Sequence, residues 1–300
     1  MSSPFEQVKK CYSSWSTTYY NDYYKNASYP PVHVDLLKKL IDKYNPSDLL
    51  DAGCGPASFL REIFQQKANL YGFDLTPEMI TEAKNVFREN GLCEDNLWEG
   101  SVTDATHFYP PNENDKKFDM CVCLGVLPHI TEESDEQVLA NIHGALNPGG
   151  VAVVEARNEL FGLFTMNRYS FDVLKNDLMQ LDKLKENATA QESEALDKIS
   201  QEMQKYFRMD LPPIRTNKDS DTGYDKILSR THNPFVLKEQ MVKAGFHDVE
   251  LLFYHFHCLP PMFANMLPEF FHKESLKMEE NPSDWKGHFM ASAFVVTGKK

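Results

Sequence analysis

Asp51 heads the run Asp51-Ala52-Gly53-Cys54-Gly55-Pro56-Ala57-Ser58, in which two glycines follow a carboxylate. Glycine lets a chain turn tightly and lets its backbone approach a ligand closely. The spacing departs from the dinucleotide pattern G-x-G-x-x-G, because Ser58 holds the sixth position. The preceding acid is the more informative difference: a carboxylate there repels a pyrophosphate but pairs with a cationic ammonium group. A second acid, Asp74, ends the apolar run Leu70-Tyr71-Gly72-Phe73, about 20 residues on, where an acid can accept both hydroxyls of a ribose. The two carboxylates together call for a ligand with an ammonium group at one end and a ribose further along.

Other residues offer chemistry at later strand ends. His129 follows an apolar run, and Arg157 and Asn158 follow the next. An imidazole with a pKa of about 6.5 is suited to take a proton from a hydroxyl or amine, and a guanidinium can hold an anion. His129 is therefore the candidate base and Arg157 the candidate substrate anchor, each against the alternative of a capping or ion-paired structural residue. His255 and His257 share a strand face, but no third ligand follows at tight spacing, so no metal site is expected.

Positioning these residues at strand tips requires alternating strands and helices. Strand-like runs occur at 48–52, 69–73, 120–124 and 151–155, with a weaker one at 96–99. Helical patterns separate them at 58–66, 77–90 and 135–146, and a further amphipathic helix runs over 34–44. This alternation predicts an α/β fold on a parallel sheet with helices on both faces. Asn147-Pro148-Gly149-Gly150 reads as a stop and turn before the fifth strand. The rhythm breaks over 158–233, which includes a polar helical stretch at 171–206, and resumes with a helix at 234–244 and a strand at 248–257. A second interruption at 258–287, rich in proline, precedes a last strand at 289–297. At the N-terminus, residues 5–24 carry aromatic and apolar side chains at near-helical spacing, ended by a break at 29–31. The expected organisation is one domain of residues 1–300, with capping helices at 1–30, a helical lid at 158–233 and a second insertion at 258–287.

The segments Leu49-Leu50-Asp51-Ala52-Gly53-Cys54-Gly55-Pro56-Ala57-Ser58-Phe59 and Tyr71-Gly72-Phe73-Asp74-Leu75 together resemble the class I S-adenosylmethionine-dependent methyltransferases, in the small-molecule branch. The resemblance extends through Phe118–His129 and to an N-terminal segment, Tyr12–Tyr20, like the helix that closes over the cofactor in that branch. It implies a seven-stranded, mostly parallel sheet with an antiparallel last strand, and S-adenosylmethionine as cofactor. It also implies that Asp51 holds the cofactor's amino group, that Gly53 and Gly55 line its methionine end and that Leu124 offers a carbonyl there. Asp74 would hold the ribose, Leu75 would pack on the adenine and Tyr19 would contact the cofactor from above. The family often has an acid after the third strand that meets the adenine amino group. Here Ser101 takes that position, so Ser101 and the Val102 amide become the expected adenine contacts.

Composition narrows the acceptor. The chain has 300 residues, 31 Lys and Arg against 44 Asp and Glu, and a formal charge of -13. No Lys/Arg run exceeds two residues, whereas nucleic-acid binding needs cationic patches. No apolar run approaches the roughly 18 residues of a membrane span, and the polar N-terminus does not read as a signal peptide. Six cysteines without a CxxC pair read as reduced, buried thiols of a cytoplasmic protein. The expectation is methyl transfer to an O or N atom of a small polar metabolite, such as a sugar, nucleotide-sugar or other biosynthetic intermediate. Neither nucleic acid nor membrane is an expected partner, and the oligomeric state stays open. The alternatives are a protein or RNA methyltransferase and a non-catalytic cofactor-binding subunit; a nicotinamide dehydrogenase lacks support from the glycine pattern.

Overall fold

Strands with apolar residues on both faces are buried on both sides, as a parallel sheet covered by helices requires. The computed structural model describes residues 4–25, 32–113, 115–212 and 227–300. Helices α1 (Pro4–Trp15) and α2 (Val32–Tyr44) precede strand β1 (Asp48–Ala52). There follow α3 (Ser58–Arg61), β2 (Asn69–Asp74), α4 (Pro77–Glu89), β3 (Leu97–Glu99), β4 (Phe118–Cys123), α5 (Asp135–Ala145) and β5 (Leu146–Arg157). Short helices α6 (Arg168–Asp172), α7 (Leu181–Glu186) and α8 (Ala190–Gln204) lead to α9 (Pro234–Lys243) and β6 (His247–Phe256). The chain ends with α10 (Pro268–Met278), α11 (Gly287–Met290) and β7 (Ala291–Lys299).

The strands form one seven-stranded sheet in the order β3-β2-β1-β4-β5-β7-β6. β1 pairs in parallel with β2 and β4, β2 with β3, and β4 with β5. The last strand is antiparallel: Asn158 N donates to Ser292 O while Gly149 N donates to Lys300 O, so residue numbers rise on β5 as they fall on β7. Leu49, Leu50, Met120, Cys121, Val122, Val153 and Val154 are almost wholly removed from solvent. Helix α4 begins with a proline at its first position, where a missing N–H costs nothing, and buries Met79, Ile80, Ala83, Val86 and Phe87 at helical spacing.

The expected elements are present with four differences. The helix expected over 58–66 stops at Arg61, because Glu62, Ile63 and Gln66 donate to carbonyls three residues back and the chain tightens into turns. Asn147–Gly150 is an excursion within β5 rather than a turn before it: Phe118 pairs with Leu146 and Met120 with Val151, so the extra residues bulge out. The helical stretch at 171–206 is broken at Gln180, whose φ is 50°, and at Thr189, which caps α8 with a reciprocal Thr189–Glu192 capping box. The proline-rich stretch 258–287 contains α10, which Pro268 opens. The break expected at 29–31 lies outside the described residues.

The backbone clusters into two compact units, Met1–Arg157 with Asn217–Leu252 and Phe294–Lys300, and Asn158–Thr216 with Phe253–Ala293. In the second unit Asn158 Nδ2 donates to the carbonyls of Gly287, His288 and Ala291. There too His257 packs its ring against Phe161 and Phe271. Among the described residues no helix is long and apolar enough to cross a membrane. All six cysteines are unpaired; four are buried, but Cys93 is exposed and Cys258 half-buried, which corrects the expectation of uniformly buried thiols.

Candidate functional site

The glycine turn after β1 is pinned from two sides. Gly53 N and Cys54 N both donate to Phe73 O of β2, at 2.8 and 3.0 Å. Asp74 closes the other side, with one carboxylate oxygen accepting from Gly55 N at 3.0 Å and the other from Thr76 N at 2.9 Å. Asp74 thus ties its own strand tip, the glycine turn and the entry of α4 together. Gly53 has φ +94°, and a Cβ there would lie 2.3 Å from Val126 Cγ2. Gly53→Ala should therefore strain the turn and displace the segment after β4, at a cost above the roughly 1 kcal/mol of an ordinary glycine replacement. A lowered melting temperature together with loss of ligand binding is the expected result, and a variant that melts and binds like the parent would remove the turn from the site.

Asp51 lies under this turn at the end of β1 and is 2% exposed. Its Oδ1 is buried with no hydrogen-bond partner, which native structures seldom leave without a reason. Burial, and then the charge of Asp74, push its carboxyl pKa up to about 8. Burial also raises that of Asp74, against the two backbone amides it accepts from.

A single pocket in the first unit, about 960 Å³ of atom-free space counted to its mouth, gathers these groups. Asp51, Gly53, Gly55, Asp74, Leu75, Ser101, Val102, Leu124, Tyr19 and His129 all line it. Arg157 does not; its Nη1 donates to Ser229 Oγ. The pocket also takes in residues with no role there expected from sequence, among them Phe5, Val8, Tyr12, Tyr24, Met79 and Thr103. The N-terminal segment that supplies several of these is anchored by Tyr20, whose hydroxyl donates to Glu62 at 2.8 Å while the Arg61 guanidinium lies 4.3 Å above its ring.

His129 sits in a short helical turn after β4 and is held at both nitrogens. Nδ1 is 2.7 Å from Leu228 O and Nε2 is 2.9 Å from the Tyr12 hydroxyl. A carbonyl only accepts, so the neutral ring carries its proton on Nδ1, and the Tyr12 hydroxyl donates to Nε2. Burial lowers the imidazole pKa to about 4, with Arg157 lowering it further and the Leu228 bond opposing. The ring is thus held as a weaker base than an ordinary histidine. The segment behind it is fixed by Arg230, which makes paired bonds to Asp135 at 3.1 and 2.7 Å and a third to Ile130 O at 3.0 Å. Burial would raise the Asp135 carboxyl, but His232 and Arg230 hold it below its usual value. Among the described residues no group of three or more His, Cys, Asp or Glu side chains is placed to hold a metal ion.

Residues 50–152, the stretch that carries both acids and His129, match the family model described as a methyltransferase domain. That match covers about a third of the chain and marks a methyltransferase domain there. The chain is 25% identical over 132 residues to a ubiquinone biosynthesis O-methyltransferase of Rickettsia felis, covering 43% of the chain and 50% of the relative. It is 27% identical over 126 residues to the protein of that name from Rickettsia bellii, covering 41% and 48%. The chain spans about half the length of the curated relatives it matches. Among solved structures it is similar in fold to magnesium protoporphyrin IX methyltransferase from Synechocystis PCC 6803, solved with bound SAH, with a TM-score of 0.51 and 13% identity over 99% of this chain and 100% of that one.

Proposed function

We propose that this chain is a methyltransferase that carries a methyl group from S-adenosylmethionine to an oxygen of a small molecule. The observation that carries the reading is the buried, unpartnered Asp51 Oδ1 beneath the glycine turn, since a cationic amino group satisfies both its charge and its hydrogen bond. The residues present fit the cofactor along its length. Asp51 and the Leu124 carbonyl would take the amino group, Gly53 and Gly55 the methionine chain, Asp74 the ribose, and Leu75, Ser101 and Val102 the base. Tyr19 would cover it. When bound, S-adenosylmethionine supplies a methyl group already activated on a sulfonium.

The protein's own part is then positioning, exclusion of water and removal of a proton. The Tyr12–His129 pair lines the same pocket and supports oxygen as the acceptor atom. Tyr12 Oη can accept the acceptor's hydroxyl proton as its own proton passes to His129 Nε2, while Nδ1–H stays on Leu228 O. The relatives named as O-methyltransferases support the same choice. Arg157, bonded to Ser229, serves in this reading to order the segment behind His129 rather than to touch the acceptor.

Calorimetry with S-adenosylhomocysteine should give one site per chain. Ligand at 100 times its Kd should stabilise the fold by about 2.7 kcal/mol, seen as a higher melting temperature. Labelled methyl should then pass to phenols and other hydroxyl compounds in preference to amines. Binding of a nicotinamide dinucleotide in place of S-adenosylhomocysteine would overturn the cofactor assignment, and transfer to amines alone would overturn the acceptor.

A further inference from the structure

The pocket presents polar groups at three successive strand ends. Those at the ends of β1 and β2 are the carboxylates Asp51 and Asp74, but after β3 the side chains are hydroxyls. Ser101 Oγ and Thr103 Oγ1 lie 2.8 Å apart, and the Thr103 amide also donates to Ser101 Oγ at 3.3 Å. Two neighbouring backbone groups are engaged elsewhere. Ser101 N–H donates to His107 Nδ1 at 3.0 Å, and Val102 O accepts from Asn141 Nδ2 at 2.9 Å. The nearest carboxylate in sequence, Asp104, accepts from Thr106 N at 2.9 Å and from its hydroxyl at 2.6 Å, and does not line the pocket. Glu99 is paired outward with Lys9 at 3.2 Å.

We infer that this end of the pocket selects a purine by shape and not by its 6-amino group; the inference rests on the reading of the pocket as a S-adenosylmethionine site. A carboxylate only accepts hydrogen bonds, so one placed here would demand an N–H on the base edge and reward it with a charge-assisted bond. A serine hydroxyl bonded to a threonine hydroxyl donates or accepts by rotation, and its hydrogen bonds stay neutral. When the ligand has no amino group, Ser101 keeps Thr103 as its partner, so nothing is left unpaired in the pocket. Strong rejection of an analogue comes from such stranded polar groups. Affinity at this end then comes from apolar contact, for which Leu75 and the buried Met79 are available.

The test is calorimetry of the intact protein with S-adenosylhomocysteine and with its analogue carrying hydrogen in place of the 6-amino group. The analogue should bind less than about tenfold more weakly, the range of one neutral hydrogen bond. Ser101→Asp should open that gap to roughly 30-fold or more, because the new carboxylate rewards the amino group and is stranded without it. A parental gap above tenfold overturns the inference, and this comparison needs no variant. Should neither compound bind the parent, the cofactor reading falls and this inference with it. Tight binding of S-adenosylhomocysteine with rejection of the analogue leaves the cofactor reading standing and removes the shape selection alone.

Discussion

Asp51→Asn should weaken S-adenosylhomocysteine binding by at least about 100-fold and at the same time raise the melting temperature of the ligand-free protein. The first effect follows from losing a buried charge opposite an ammonium group, for which losses of about 2–5 kcal/mol are usual. The second follows from the sign of the shift. The folded protein holds the Asp51 carboxyl at about 8, against an ordinary value of 3.8. Below that ordinary value the group is protonated in both states and costs the fold nothing. As pH rises the unfolded chain ionises while the folded chain keeps its proton, and stability falls by about 1.4 kcal/mol per pH unit until the folded carboxyl also titrates. An amide does not titrate, so the difference in melting temperature between variant and parent should grow from pH 4 toward pH 8, reaching roughly 10 degrees. Pairing with an ammonium group restores the ionised form, so ligand binding near neutral pH should release a proton, and affinity should rise with pH toward about 8. Isothermal calorimetry in buffers of different ionisation enthalpy measures that proton directly. A variant that binds like the parent, or a parent that releases no proton, would remove Asp51 from the amino-group site.

The residues of this pocket were legible in the sequence where their positions follow from local chain geometry. Asp51, Gly53, Gly55 and Asp74 sit at the ends of strands that alternate with helices, and such ends converge on one edge of a parallel sheet. Periodicity sufficed for α4 and for the succession of strands along the chain. The support of His129 could not be read in this way. Its partner at Nδ1 is a backbone carbonyl 99 residues away, and any residue type supplies a carbonyl. The roles of Ser229 and Arg230 are hidden for the same reason: Arg230 is one cation among many until Asp135 is found beside it. Tyr12 shows a different limit, since an aromatic residue at helical spacing reads as packing, and only the 2.9 Å contact with Nε2 gives its hydroxyl a task. The helix boundaries that shifted, at Arg61 and around Gln180, depend on the choice between bonds three and four residues back, which sequence pattern leaves nearly balanced.

Tyr12→Phe and His129→Ala should each lower turnover of a hydroxyl acceptor by roughly 100-fold, the lower end of what a positioned proton acceptor contributes. Because the two groups act in series, the double variant should be no slower than the slower single one, a non-additivity that independent packing effects would not produce. A histidine held at about 4 is neutral throughout the range where methyl transfer would be assayed. Its own protonation should therefore leave no falling limb near pH 6.5, and activity lost through His129 should appear only toward pH 4 to 5. So weak a base is still sufficient. Methylating a neutral hydroxyl makes its proton far more acidic than that of the imidazolium, so Tyr12 and His129 need only receive the proton late in the displacement. Tyr12→Phe keeps the ring that lines the pocket, so affinity for S-adenosylhomocysteine, recorded in parallel, should change by less than about threefold, less than the roughly 1 kcal/mol of a typical hydrogen bond. Near-parental turnover in Tyr12→Phe would break the relay. A limb near pH 6.5 that vanishes in His129→Ala would instead make His129 an ordinary base that meets the acceptor without Tyr12.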